Sequence, residues 1–294
     1  MPKTFTLVTR TLVTLLAFAA LGLASLATVT QSVSSQNANT PKPPKKKLTG
    51  GSNFAQYAVR DASNRLIAGG ATRAVGDESL AVNQKANEAY EAGKFDEAIT
   101  GFKRLTELKP TSATAFYQLG VSYETAGRNK EAIEAYKKAT GILDKSDMND
   151  DTKGWKAMSY YNMGNALAAD NQPKEAIEAY KQVVPLMPGE AVIYNNLGLA
   201  YAASDQATEA VESFKKAISV NPEYLEAHFN LGLAYHDLED KAGAQAEIKA
   251  LEDLKIKALE DLKKPNLDED EKSTLEALTK KAPELAAKLK GLKN

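Results

Sequence analysis

Apolar residues recur along the middle of the chain at the spacing of one helical face. In one stretch Phe116, Leu119 and Tyr123 lie at positions i, i+3 and i+7, with Gly120 on the same stripe. This spacing predicts an amphipathic α-helix that buries one side. A second stripe that contains Ala132 follows after a short polar break. The pattern therefore predicts two helices that pack as a pair.

The paired pattern returns at a fixed step along the chain, with one longer step in the middle. The small residues that mark the first helix are Ala86, Gly120, Gly164, Gly198 and Gly232. Those that mark the second helix are Ala98, Ala132, Ala176, Ala210 and Ala244. Because both markers shift together, the longer step is one insertion between the second and third repeats. The steps between successive markers are 34, 44, 34 and 34 residues. A period of 34 residues indicates stacked helical hairpins.

Residues 191–222 hold the most complete copy of the repeat. Its marker positions are occupied by Tyr194, Leu197, Gly198, Tyr201, Ala210, Phe214 and Pro222. This pattern resembles the tetratricopeptide repeat (TPR) family. The resemblance implies an all-α fold, a right-handed superhelical solenoid of about five TPR helix-turn-helix repeats with a C-terminal helical cap. The repeats run over about 79–110, 113–142, 155–188, 191–222 and 225–263.

Glycine on a packed stripe allows the second helix of a pair to approach closely, as at Gly120 beside Tyr136. Leucine at the equivalent Gly198 should overpack the pair and destabilise it by roughly 1–3 kcal/mol. Alanine at the same position should be mild.

Residues 264–294 are predicted to form capping helices. Their apolar residues form a heptad seam of Leu275, Leu278, Ala282, Leu285, Leu289 and Leu292. Pro283 should bend or restart this helix. The seam either covers the end of the array or, together with the helix from Leu251, joins copies of the chain as a homo-oligomer through residues 251–292. The alternative function is therefore a self-associating structural scaffold, or an envelope assembly factor, that acts through the C-terminal helices.

The N-terminal part of the chain predicts export or membrane attachment. In residues 1–30, two basic residues precede an apolar run typical of a signal peptide, and the run is also long enough for a membrane anchor over residues 11–30. Residues 31–52 form a Pro- and Lys-rich linker, and 53–78 a weak helical lead-in. The charges before the run place the repeats outside the cytoplasm, periplasmic or secreted, or anchored in the membrane.

Composition argues against several other functions. The chain has no cysteine and a formal net charge of −1, so it has neither thiolate chemistry nor the basic footprint of a nucleic-acid-binding protein. The acids of the insertion 144–151 lack the glycine and closing glutamate of a calcium loop. His228 and His236 lie more than two turns apart on one predicted helix, too far for one zinc ion, and His228 is predicted to be buried. We therefore predict no enzyme activity, no cofactor and no metal site.

The TPR resemblance implies a non-catalytic scaffold or adaptor that mediates protein–protein interaction through a concave groove lined by the first helices. Asn162, Asn196 and Asn230 occupy the same position in three successive repeats, and amides both donate to and accept from a peptide backbone. The complete set predicted to contact a protein or peptide ligand is Asn162, Asn196, Asn230, Tyr117, Tyr161, Asn195, Phe229 and Asn165. Two turns on, the residues that should face the same groove are Tyr90, Glu124, Ala168, Ala202 and His236. No basic residue is predicted there, which excludes capture of a peptide carboxylate through Lys or Arg.

Overall fold

The computed structural model describes residues 76–264 and 267–292. The predicted segments 1–30 and 31–52, and all but the end of 53–78, lie outside these ranges. The described residues fall into two compact units, 76–188 and 189–292, which are treated separately below. Both are all-α: the described ranges contain helices and no strand.

The first unit consists of three helix pairs. Its helices are α1 (Gly76–Glu91), α2 (Phe95–Leu108), α3 (Ala113–Thr125), α4 (Asn129–Leu143), α5 (Asp150–Ala169) and α6 (Pro173–Val183). Each helix packs against the next along the chain, and α3 also contacts α5.

The second unit consists of two pairs and a final helix. Its helices are α7 (Ala191–Ala203), α8 (Ala207–Val220), α9 (Leu225–Asp237), α10 (Lys241–Asp261) and α11 (Glu269–Lys290). The final helix packs on both α9 and α10.

Capping residues fix where the helices begin. The Ser112 side chain accepts the backbone N–H of Ala115 at the start of α3. A reciprocal capping box between Asn149 and Thr152 starts α5 at Asp150, ahead of the predicted start of the third repeat. The loop between α4 and α5 is therefore residues 144–149, shorter than the predicted 144–151. Trp155 lies in the second turn of α5.

The turn after each first helix contains a residue with a left-handed backbone conformation. These residues are Gly93, Gly127, Asn171, Asp205 and Glu239, with φ between 59° and 73°. They recur at the same steps as the small marker residues, so the turn is part of the repeat. Glycine adopts this conformation without steric cost, whereas Glu239 does not.

The close approach predicted at the glycine positions is present. A Cβ atom on Gly120, Gly164 or Gly198 would lie 2.5–2.7 Å from an aromatic ring carbon of the paired helix. The ring beside Gly198 belongs to Phe214, which is buried. The structure therefore corrects the expectation that alanine is mild at Gly198, because the Cβ alone already overlaps the ring.

The last helix completes the core of the second unit. Leu285 and Leu289 of α11 pack with Ile248 and Leu251 of α10 in one buried cluster, and Leu278 packs against it. Four residues of the predicted seam, Leu278, Ala282, Leu285 and Leu289, thus pack within the chain, whereas Leu292 is exposed. The helix also continues through Pro283, so it does not restart there.

Candidate functional site

Polar side chains link the first helices of the first unit to one another. Gln118 Nε2 on α3 donates to Asn87 Oδ1 on α1 at 3.4 Å, and the hydroxyls of Tyr90 and Thr125 lie 3.0 Å apart. Gln118 is only 9% exposed, and its Oε1 atom has no hydrogen-bond partner among the described residues. A buried acceptor without a donor is uncommon in folded proteins and calls for an explanation.

Tyr117, a predicted ligand contact, is held from three sides. Its ring lies 5.9 Å from the ring of Tyr136 and 5.4 Å from that of Trp155, measured between centroids. Its hydroxyl accepts a hydrogen bond from Asn162 Nδ2 at 3.0 Å. Two predicted site residues from successive repeats are therefore in direct contact. Trp155 is the only tryptophan of the chain, so its fluorescence should respond to a ligand bound at Tyr117.

The next repeat of the first unit brings together Tyr161 and Asn165, which were also predicted. The ring of Tyr161 lies 6.1 Å from that of Tyr180, and the Tyr180 hydroxyl donates to Asn165 Oδ1 at 2.7 Å. Tyr161 and Asn165 are partly exposed, whereas Tyr180 is buried beside Gly164. The hydroxyl of a core tyrosine thus fixes an amide on the first-helix side.

Glu124 accepts the hydrogen bond of the core tyrosine one repeat earlier, from a position one turn further along its helix than that of Asn165. The Tyr136 hydroxyl donates to Glu124 Oε2 at 2.6 Å. Burial raises the pKa of the Glu124 carboxyl to about 7, although the hydrogen bond from Tyr136 lowers it. Burial and the neighbouring Glu124 charge together raise the pKa of Tyr136, Tyr117 and Tyr90. Sequence reasoning placed Glu124 near the groove but did not include it among the binding residues. The hydrogen bond from Tyr136 singles out Glu124, and the repeat spacing does not reveal that bond.

We call Tyr90, Tyr117, Gln118, Glu124 and Asn162 the tyrosine–amide face. They lie on α1, α3 and α5, the first helices of three successive repeats. The face combines aromatic rings, one amide oxygen without a donor and one carboxylate. Such side chains can form hydrogen bonds and aromatic contacts.

The predicted residues of the second unit have a different environment. Asn195 is 0% exposed, and Asn196 and Asn230 are 6% exposed. Asn230 Nδ2 donates to Asn195 Oδ1 at 2.9 Å, which ties α9 to α7. Phe229 packs against the buried cluster that contains α11. These contacts stabilise the unit, and a role of the four residues in ligand binding remains a prediction.

His228 lies in a buried network of the second unit, as its core-stripe position predicts. Its Nδ1 is 2.7 Å from Glu247 Oε2, and its Nε2 is 3.0 Å from the carbonyl oxygen of Pro222. Both ring nitrogens face acceptors, so the protonated imidazolium satisfies both contacts. Burial opposes the charge, but the hydrogen bonds to Glu247 and Pro222 outweigh it and raise the pKa of His228.

Residues 76–264 and 267–292 contain no group of three or more His, Cys, Asp or Glu side chains that could hold a metal ion. In the same ranges, no helix has the length and apolar character needed to cross a membrane.

Comparison with known proteins agrees with the repeat pattern. Profiles described as "Tetratricopeptide repeat" match residues 83–147, 157–186 and 225–255, and one described as "TPR repeat" matches residues 201–238. Together they cover just over half of the chain. A search of curated proteins gave no match.

Solved structures of similar fold include two of the protein MamA. One is 26% identical with a TM-score of 0.57 and covers 66% of this chain and 100% of MamA. The other is 29% identical with a TM-score of 0.53 and covers 59% of this chain and 96% of MamA.

A third similar structure is YrrB, described as a TPR protein with an unusual peptide-binding site. It is 22% identical with a TM-score of 0.50 and covers 60% of this chain and 86% of YrrB. The repeat spacing, the glycine–aromatic contacts, the matching profiles and these structures agree with one another, and the chain therefore belongs to the tetratricopeptide repeat family.

Proposed function

We propose that this protein is a non-catalytic scaffold that binds a peptide segment of a partner protein at the tyrosine–amide face. TPR proteins are typically interaction scaffolds, and YrrB, whose likeness shows the fold alone, is described as having a peptide-binding site. Gln118 carries the proposal. Its Oε1 atom is a buried acceptor without a donor, and a peptide N–H would satisfy it once the Gln118 amide turns toward the tyrosine–amide face. Tyr117 and Asn162 lie beside it and contribute an aromatic surface and a second amide.

The test is a selection of random dodecapeptides on the full chain in detergent solution. A selected peptide is then titrated while the fluorescence of Trp155, 5.4 Å from Tyr117, is followed. We expect Gln118→Met to weaken binding by roughly twofold to tenfold, since one net hydrogen bond contributes about 0.5–1.5 kcal/mol. Stability should change little, because the substitution removes an unsatisfied buried acceptor together with the 3.4 Å hydrogen bond to Asn87.

Gln245→Met on the exposed surface of α10 is the matched control and should change neither property. A selection that yields no peptide would refute the proposal. So would equal affinities for the parent, Gln118→Met and Asn162→Ala, provided that the variants remain folded.

Self-association is a second candidate function. Ile256 and Leu259 on α10 are 55% and 44% exposed, although most apolar residues of this region are buried within the chain. Light scattering on the full chain decides the question. An oligomer that dissociates when both residues are replaced by lysine would support self-association, and a monomeric parent would exclude it.

We also propose that the repeats lie outside the cytoplasm, exported or anchored by residues 1–30. The support is the sequence of that segment: basic residues followed by an apolar run. Protease treatment of spheroplasts should digest the repeats without lysis. Digestion only after lysis would place them in the cytoplasm.

A further inference from the structure

Glu124 is a carboxylate with an unusual environment on the tyrosine–amide face. It lies in the last turn of α3 and is partly exposed to solvent. The Tyr136 hydroxyl fixes its Oε2 atom at 2.6 Å, while no described residue donates to Oε1. One oxygen of the carboxylate is therefore held in place and the other is available to a ligand.

Several acids of the same unit are paired with bases. Glu131 lies 2.7 Å from Arg128, Glu134 lies 3.0 Å from Lys137, and Asp144 lies 2.7 Å from Lys156. Within the described ranges, no lysine, arginine or histidine pairs with Glu124. A partly buried charge without a counter-ion is unfavourable, and a cation brought by a ligand would relieve this cost.

Tyrosine rings surround the carboxylate from two further directions. Tyr90 approaches from α1, where its hydroxyl is held by Thr125, and Tyr117 lies two turns earlier on α3. Both rings are partly exposed, and the Glu124 charge raises the pKa of both hydroxyls. Tyrosine rings attract ammonium and guanidinium groups, particularly next to a carboxylate.

We propose that Glu124, with Tyr90 and Tyr117, binds the lysine or arginine side chain of a peptide ligand, and that Tyr136 is the positioning residue for the carboxylate. The inference rests on the proposed function, because it names the ligand chemistry of the same face. This proposal explains why Glu124 receives a hydrogen bond from Tyr136 but has no counter-ion among the described residues. It also gives the face a preference that aromatic and amide contacts alone do not supply.

The pH dependence of binding follows from the groups that face Glu124. These are Tyr90 from α1, Tyr117 from α3 and Tyr136 from α4, whose pKa values are all raised, so the carboxyl with its pKa of about 7 is the group that titrates near neutrality. The cation binds the ionised form. Affinity for a basic peptide should therefore be about tenfold weaker at pH 6 than at pH 8.

The experiment repeats the peptide selection on the full chain, on Glu124→Gln and on Glu134→Gln. The parent and Glu134→Gln, which removes the same charge from an exposed position of α4, should enrich lysine or arginine at one peptide position. Glu124→Gln should lose this enrichment and retain the preferences at other positions. The glutamine oxygen still accepts the Tyr136 hydroxyl, so the variant should fold, as circular dichroism will verify.

A selected basic peptide is then titrated between pH 6 and pH 8. The parent should show the tenfold change and Glu124→Gln a flat profile. Tyr136→Phe removes the hydrogen bond that lowers the Glu124 pKa, so the midpoint of its profile should move to higher pH. Tyr180→Phe, whose hydroxyl contacts Asn165 in the next repeat, should leave the profile unchanged.

The outcomes separate the two proposals. A selection that yields no peptide overturns the proposed function and this inference with it. Peptides without basic enrichment, or basic enrichment that survives in Glu124→Gln, overturn the inference alone. An unchanged pH midpoint in Tyr136→Phe removes the positioning role of that tyrosine.

Discussion

One helix of this chain contains two glycines that should respond in opposite ways to the same substitution. A Cβ atom on Gly164 of α5 would lie 2.7 Å from Tyr180 Cε1, well inside van der Waals contact. A Cβ on Gly154 of the same helix would meet no atom within 4 Å. Tyr180 is fully buried and its hydroxyl is bonded to Asn165, so its ring cannot move aside without losing contacts.

The sign of each effect follows from two opposing terms. Alanine in a helix interior gains about 1 kcal/mol over glycine in helix propensity, which applies at both positions. Overpacking costs roughly 1–3 kcal/mol, which applies at Gly164 alone. We therefore expect Gly154→Ala to stabilise the first unit by up to about 1 kcal/mol. Gly164→Ala should be less stable than Gly154→Ala by roughly 1–3 kcal/mol.

Urea denaturation followed by circular dichroism measures both variants of the full chain against the parent. Equal stabilisation by the two substitutions would refute the packing argument, because it would show that the helix pair separates at no cost. Loss of stability in Gly154→Ala would instead show that the position has a contact absent from this structure.

Three further predictions concern the second unit. Because the pKa of His228 is raised, the contribution of this residue to stability should be complete below about pH 6.5 and be lost as pH rises through the folded-state pKa. Thermal melts of the parent from pH 6 to pH 9 should show this loss of stability, and those of His228→Gln should not. Asn230→Ala should cost about 1–3 kcal/mol in urea denaturation, because it leaves the fully buried Asn195 oxygen without its donor. Leu285→Ala should cost roughly 2–5 kcal/mol, whereas Leu259→Ala on the exposed side of α10 should change stability by about 0.5 kcal/mol or less.

The repeat itself could be predicted from the sequence because its packing is local. The glycine and the aromatic ring that meet in one pair, such as Gly120 and Tyr136, are separated in the chain by one short turn and parts of two helices. Their spacing follows from the helical period and the length of that turn. The same contact recurs at Gly164 and Gly198, so a single pattern predicts all three.

The cap could not be predicted in the same way. A Cβ on Gly232 would meet Leu289 of α11 at 2.6 Å, although the whole of α10 lies between them in the chain. The fifth repeat has Ile248 where earlier repeats have an aromatic ring, and the final helix fills the space instead. The heptad spacing predicted an apolar seam but did not identify its partner.

The amides were predicted as one equivalent set, but the structure shows that they are not equivalent. Asn162 contacts the hydroxyl of Tyr117 at a partly exposed position, while Asn230 is buried against Asn195. The difference comes from the preceding first helix: Tyr117 carries a hydroxyl where Asn195 carries an amide. A regular spacing fixes where a side chain lies but not which neighbour it meets.

Hydrogen bonds from a core tyrosine to the paired first helix occur in the second and third repeats. Tyr136 donates its hydroxyl to Glu124, and Tyr180 donates to Asn165. The next repeat has Phe214 at the equivalent position, and the residues that would receive a hydroxyl there are Leu199 and Ala202. In these three repeats donor and acceptor are thus present together or absent together, as expected where a buried polar group without a partner is costly. The first repeat differs, because Phe102 has no hydroxyl and Asn87 is instead bonded to Gln118 of the next first helix. A tyrosine at the core aromatic position therefore indicates a polar group fixed on the first-helix side of the same repeat, and it directs the search for a ligand to the first unit.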